Sequence, residues 1–195
     1  AYNVIPAVKL TYYADTETTF GLPFENGFVE LKKACGGLQK LEYGDVVGFF
    51  SPHEIQKRAF QYTEEKGVFE EFYMRASTGK NSDYNGEDED RILAFCSMFG
   101  FLCHNYKDRA NNPCIVLTDY DADGRTRNGG RGKSPLIQAI KHVKETKVKG
   151  GMEFDPNYTF VFADLEKSDR VYAIDDVPSN FDYESFYTKI LGYIS

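Results

Sequence analysis

Apolar positions change their period twice along this chain, and each change marks a different kind of structure. In residues 1–50 the apolar runs are short and extended. Val8 to Tyr13 alternates weakly. Asn26-Gly27 is a strong turn signal between Leu22-Pro23-Phe24 and Phe28-Val29-Glu30-Leu31. Gly36-Gly37 then separates that strand from Leu38 to Tyr43, where alternation continues. The pattern predicts a small antiparallel meander.

Residues 52–112 read as helical. Pro52-His53-Glu54 is placed to open a first helix, and Val68, Phe69, Phe72 and Tyr73 recur at helical spacing between Gly67 and Ala76. Ser77 to Asp90 is polar and reads as a loop whose final acids favour the positive end of the next helix. That helix carries the clearest period in the chain, through Ile92, Phe95, Phe99, Leu102, Cys103 and Tyr106. Asn111-Asn112-Pro113 breaks it.

From residue 113 onward, strands and helices alternate. Cys114–Thr118 reads as a short buried strand. Ser134–Val148 reads as a helix with Pro135 in its first turn, where proline is tolerated, and Gly150-Gly151 after its end. Tyr158–Phe162 and Arg170–Asp176 read as further strands, and Phe181–Ile194 as a closing helix. Such alternation predicts a parallel sheet with ligands at the carboxyl ends of its strands. The fold class expected is α/β, with a β-meander and helical region over 1–112 and an α/β domain over 113–195.

Composition sharpens this in three ways. No apolar run approaches the roughly 18 residues of a membrane span, and no basic segment followed by an apolar stretch opens the chain, so a cytoplasmic protein is expected. Cys35, Cys96, Cys103 and Cys114 form no C-x-x-C pair, and reduced, buried thiols are expected of them. The net charge of −7 is uneven: residues 121–150 hold eight Lys/Arg against three Asp/Glu, while each flank is acidic. A local excess of cations suits a polyphosphate. Lys141, Lys144, Lys147 and Lys149 are also explained by a solvated helix face.

The chemistry concentrates at residues 114–134, CIVLTDYDADGRTRNGGRGKS. A strand, a glycine-rich turn and then Lys133-Ser134 opening a helix is an arrangement that holds nucleotide phosphates. Loop amides face the oxygens, the lysine reaches the outer phosphates and the serine hydroxyl joins a magnesium shell. Candidate ligand-binding residues are Asn128, Gly129, Gly130, Arg131, Gly132, Lys133 and Ser134. About 40 residues on, the strand at Arg170 ends in Asp175-Asp176, where one carboxylate can hold Mg²⁺ through water and its neighbour can orient the attacking water. Arg127 stands where the phosphate-loop pattern begins with glycine. A glycine-rich surface turn is the plainer alternative.

Asp119, Asp121 and Asp123 form a second candidate, three carboxylates at alternate positions that suit Mn²⁺ or Mg²⁺. The run D-Y-D-A-D-G resembles the first motif of the DHH phosphoesterases, which implies a metal-dependent phosphoesterase or nuclease. The Asp-His-His triplet of that family has no counterpart in the chain. A solvated acidic turn is the other reading. His104, near the end of the clearest helix, is a packing or capping residue or a substrate contact.

The order of segments resembles phage and plasmid primase–helicases of superfamily 3. The resemblance runs through Asn26 to Leu31, Phe99 to Asp108, the Asn128–Ser134 loop, Arg170 to Val177 and Asn180 to Phe186. It implies ATP hydrolysis coupled to DNA translocation by a hexameric ring, in the host cytoplasm if the source is a phage. It implies that Lys133 binds the β/γ-phosphates, that Ser134 and Asp175 hold Mg²⁺, and that Asp175 and Asp176 serve catalysis. The sensor strand and arginine finger of that family are not found before Ser195. The resemblance therefore implies an incomplete P-loop ATPase domain with little turnover, or a non-catalytic adaptor.

Overall fold

The computed structural model describes residues 10–33, 36–80, 82–108, 113–118, 132–166 and 168–194, the last four by backbone alone. It is a mixed α/β chain with one three-stranded antiparallel sheet and one two-stranded parallel sheet among these residues. It divides into two compact units, Ala1–Tyr62 with His104–Tyr106, and Thr63–Cys103 with Lys107–Ser195. Among the described residues no helix is long and apolar enough to cross a membrane.

The first unit is the expected meander. Strands β1 (Thr19–Phe24), β2 (Gly27–Lys32) and β3 (Gly37–Leu41) pair antiparallel in sequence order. Phe24 stands opposite Gly27, so Glu25-Asn26 is a two-residue turn, and Gly27 takes a positive φ of 133°. Asn26 does more than turn the chain. Its side chain accepts the Phe60 N–H at 2.7 Å and donates to the Phe60 carbonyl at 2.9 Å. Phe28, fully buried, has the rings of Tyr13 and Phe50 at 4.8 and 5.2 Å.

No helix forms at Pro52-His53-Glu54. Glu54 closes one turn onto Ser51, and the Gln56 amide then donates to the Pro23 carbonyl at 2.8 Å. Residues 52–55 run through turns and a bend, and Gln56 makes an isolated parallel bridge to Phe24 on the β1 edge, which takes its amide out of any helix. Residues 104–106 also join this unit. Buried Asp15 accepts the amides of Gly21 and Asn105, and the His104 ring meets the Thr19 carbonyl at 3.2 Å. His104 lies beyond the helix and packs against Phe20, a structural use.

In the second unit, helices α1 (Val68–Thr78) and α2 (Gly86–Cys103) pack through aromatic rings, with Tyr73 stacked on Phe95 and Phe69 beside Phe99. Helix α2 starts earlier than the polar run suggested. Asn85 and Asp88 cap it reciprocally, each side chain accepting the other's amide at 3.0 Å. Glu87, Asp88 and Glu89 then fill the first turn, where the helix dipole favours them. The Asn85 amide, and then Lys80, hold the Asp88 carboxyl below the usual aspartate range. A folded-state pKa below the unfolded one makes this stabilisation present above the ordinary aspartate pKa and lost as pH falls through the folded value. Asn85→Ala is expected to cost about 1 kcal/mol in urea unfolding at neutral pH. Asp88→Asn is expected to flatten the acid limb of the melting-temperature profile.

The remaining elements are α3 (Lys133–Lys141), β4 (Thr146–Gly150), β5 (Val171–Asp175) and α4 (Tyr183–Ile194). Strands β4 and β5 are parallel, with Thr146 opposite Val171 and Gly150 opposite Asp175. Buried Phe154, Val161 and Phe162 form the core, joined by Tyr172, Ile174, Phe181, Phe186 and Ile190. Burial, then the Asp164 charge, push the Tyr172 phenol up to about 12, so it stays protonated at neutral pH.

Three expectations for this unit are corrected. Helix α3 ends at Lys141, and residues 146–148 of the expected helix belong instead to β4. Val143, Thr146 and Val148 are β-branched and favour the pleated form. Lys144 is therefore buried rather than on a solvated helix face, and Lys147 and Lys149 stand on a strand. Tyr158–Phe162 runs through turns and contributes Val161 and Phe162 to the core without pairing. Cys114–Thr118 pairs with no strand among the described residues, and Val116 is exposed. Cys114 and Cys96 are exposed thiols where the sequence predicts buried ones, Cys103 alone of the described cysteines being buried. A short apolar run states that burial is favourable but not which edge will take its backbone bonds.

Candidate functional site

Asp175 is the last residue of β5, and the parallel register puts Gly150 beside it. At this carboxyl end the Asp175 carboxylate receives two donors. The Ser134 hydroxyl donates to Oδ2 at 3.3 Å, and the Asp176 amide donates to Oδ1 at 3.1 Å. Ser134 and Asp175 are 41 residues apart. The contact therefore joins the amino end of α3 to the carboxyl end of β5.

Local sequence fixes both partners. Gly132 is the N-cap of α3 with φ 92°, a left-handed conformation that glycine adopts readily. A Cβ at Gly132 would lie 2.8 Å from the Phe72 ring of α1, so that ring closes directly over the cap. Leu136 and Ile140, one turn apart and buried, anchor the helix behind it. Lys133 and Ser134 thus open a helix whose first turn holds no acidic residue and whose dipole end is positive. On the other side, Asp176 itself is left-handed, with φ 54°, and exposed.

Among the expected site residues, Gly132, Lys133, Ser134, Asp175 and Asp176 are described, and Ser134 and Asp175 are in contact. Asn128, Gly129, Gly130 and Arg131 lie outside the described residues, as do Arg127, Asp119, Asp121 and Asp123. Among the described residues, no three His, Cys, Asp or Glu side chains group to hold a metal alone. A lone hydroxyl–carboxylate pair fits Mg²⁺ only where phosphate oxygens and waters complete the shell. Two residues were missed from sequence. Phe72 counted only toward α1's apolar face, and Gly151 counted only toward a glycine pair after a helix. Neither carries a local signal, because each matters through a segment distant in sequence.

Comparison with protein-family models, with curated proteins and with solved structures finds no match.

Proposed function

We propose that the amino end of α3 and the carboxyl end of β5 bind the phosphates of a nucleoside triphosphate together with Mg²⁺. The observation that carries this is the 3.3 Å contact between Ser134 and Asp175. Hydroxyl and carboxylate are held where a helix dipole meets a parallel sheet's carboxyl edge, which suits a metal-bridged phosphate. Lys133, next in line, supplies a cation for the outer phosphates. Asp175 shares the metal with Ser134, and Asp176 faces solvent, where it can orient a water.

The wider reading rests on the sequence resemblance. In it, this is the nucleotide-binding part of an ATP-dependent DNA helicase of superfamily 3 type, working as a hexamer on DNA in phage or mobile-element replication within a bacterial cytoplasm. A P-loop ATPase sheet belongs to that reading as well.

Calorimetric titration of the chain with ATP and Mg²⁺ tests the site. Saturable binding is expected, weakened roughly 10–100-fold by Lys133→Ala, the loss of a charge-assisted phosphate contact. Asp121→Ala is expected to bind as wild type. Binding indifferent to Lys133→Ala sinks the proposal. Metal-dependent DNA cleavage that survives Lys133→Ala but not Asp121→Ala would install the phosphoesterase reading instead.

A further inference from the structure

The parallel register does not stop being useful where the strands end. Gly150 stands opposite Asp175, so the next residues, Gly151 and Asp176, meet just beyond the sheet. Gly151 is buried there. A Cβ built on it would lie 2.6 Å from the Asp176 carbonyl oxygen, 2.6 Å from the Val177 Cα and 2.7 Å from the Val177 nitrogen. All three are backbone atoms, which cannot swing aside as a side-chain tip can. Glycine is required here by space and not by its own φ, which is not in the left-handed range.

The segment that presses on Gly151 is itself unusual. Asp176 is one of two described non-glycine residues with positive φ, at 54°. Aspartate enters this region more readily than most residues with a Cβ, but still at a cost that its surroundings offset. Two contacts do so: the backbone of Gly151 on one side, and the Asp176 N–H bond to Asp175 Oδ1 at 3.1 Å on the other. That second bond occupies one oxygen of Asp175 and turns the other toward Ser134 at 3.3 Å.

We infer that Gly151 is a positioning residue: its bare backbone seats the left-handed Asp176 turn, and through it aims the Asp175 carboxylate at Ser134. The inference rests on the nucleotide reading for its consequence, and on packing alone for its geometry. A methyl group at residue 151 pushes the Asp176 carbonyl away, breaks the amide bond to Oδ1 and frees Asp175 to rotate. What is lost is the metal's share of nucleotide binding. Lys133 and the α3 dipole lie on the other side of the contact and keep theirs.

Two measurements on the whole chain separate these levels. In the first, ATP affinity is measured with Mg²⁺ and with EDTA. Wild type is expected to bind more tightly with Mg²⁺, by roughly tenfold for a gained charge-assisted contact. Gly151→Ala is expected to lose most of that ratio while its EDTA affinity stays at the wild-type value. A general loss of structure would lower both. In the second, no ligand is used. Asp176→Gly relieves the left-handed residue and is expected to raise the melting temperature by about 2–4 °C. In the Gly151→Ala background the same change is expected to raise it by at least twice as much, because glycine at 176 lets the turn move off the new methyl. If Gly151→Ala alone does not fold, recovery of a cooperative melt in the double variant is the readout. An equal gain in both backgrounds, no recovery, or a wild-type Mg²⁺ ratio in Gly151→Ala overturns the inference. Absence of any ATP binding by wild type overturns the nucleotide reading instead, and the melting data still decide the role of Gly151.

Discussion

Phe28→Ala is expected to destabilise the meander unit by about 3–5 kcal/mol, close to the whole stability of a small domain. Phe28 has no exposed surface. Its ring is edge-on to Tyr13 at 4.8 Å and tilted against Phe50 at 5.2 Å. The neighbouring strand makes room for it: a Cβ at Gly21 would lie only 2.0 Å from the Phe28 ring. Truncation therefore opens a cavity over Gly21, which has no side chain to fill it. Tyr13 would lose its covering, leaving a phenol near Asp15 and Glu30 whose pKa burial now pushes up. Urea unfolding followed by tyrosine fluorescence measures the loss. Leu31→Ala is the control, since Leu31 is 46% exposed and should change stability by no more than about 0.5 kcal/mol. Equal effects of the two substitutions would show that Phe28 is not the centre of this unit.

Phe154→Ala is expected to cost the second unit a similar amount, about 3–5 kcal/mol. Phe154 is the hub of its aromatic core. The rings of Phe186, Phe181, Phe162 and Tyr172 lie at 5.5, 5.9, 6.0 and 6.1 Å from it. It follows the short 3₁₀ turn Gly151–Glu153, so it also ties the glycine that seats Asp176 to the core. Tyr172 belongs to β5, whose last residue is Asp175. Loosening the hub is expected to weaken Mg²⁺-dependent ATP binding along with stability. Phe160→Ala should do neither, because Phe160 is 64% exposed. A Phe154→Ala protein with an unchanged unfolding midpoint would place the core elsewhere.

The difference between these neighbours shows where sequence reading failed. Phe160, Val161 and Phe162 read as one strand, yet Phe160 is exposed while Val161 and Phe162 are buried in turns. An apolar run is a statement about transfer from water, and a turn buries it as well as a strand does. The stretch after α3 failed for a related reason. Its lysines suit a helix surface, but its β-branched residues and the free edge of β5 favour pairing. Cys114–Thr118 shows the converse, an apolar segment for which the described residues supply no pairing.

Where local chemistry alone settles the backbone, the sequence sufficed. Asn26-Gly27 placed the hairpin between β1 and β2, although the turn itself is Glu25-Asn26 and Gly27 already pairs with Phe24. Apolar spacing dictated α1 and α2. The apolar run ending in two acids dictated β5 and put Asp175 at its end. Lys133-Ser134 after glycine dictated the start of α3. These features depend on residues within a few positions of each other, so they are legible in a window. Tertiary structure decided the rest. It chose β4 as the partner of β5, brought Ser134 to Asp175 across 41 residues, and set Gly151 against a left-handed Asp176. Each of these is a competition between distant segments for the same unpaired edge or the same small volume. Such a competition is won by the sum of contacts made, which no single stretch of sequence contains.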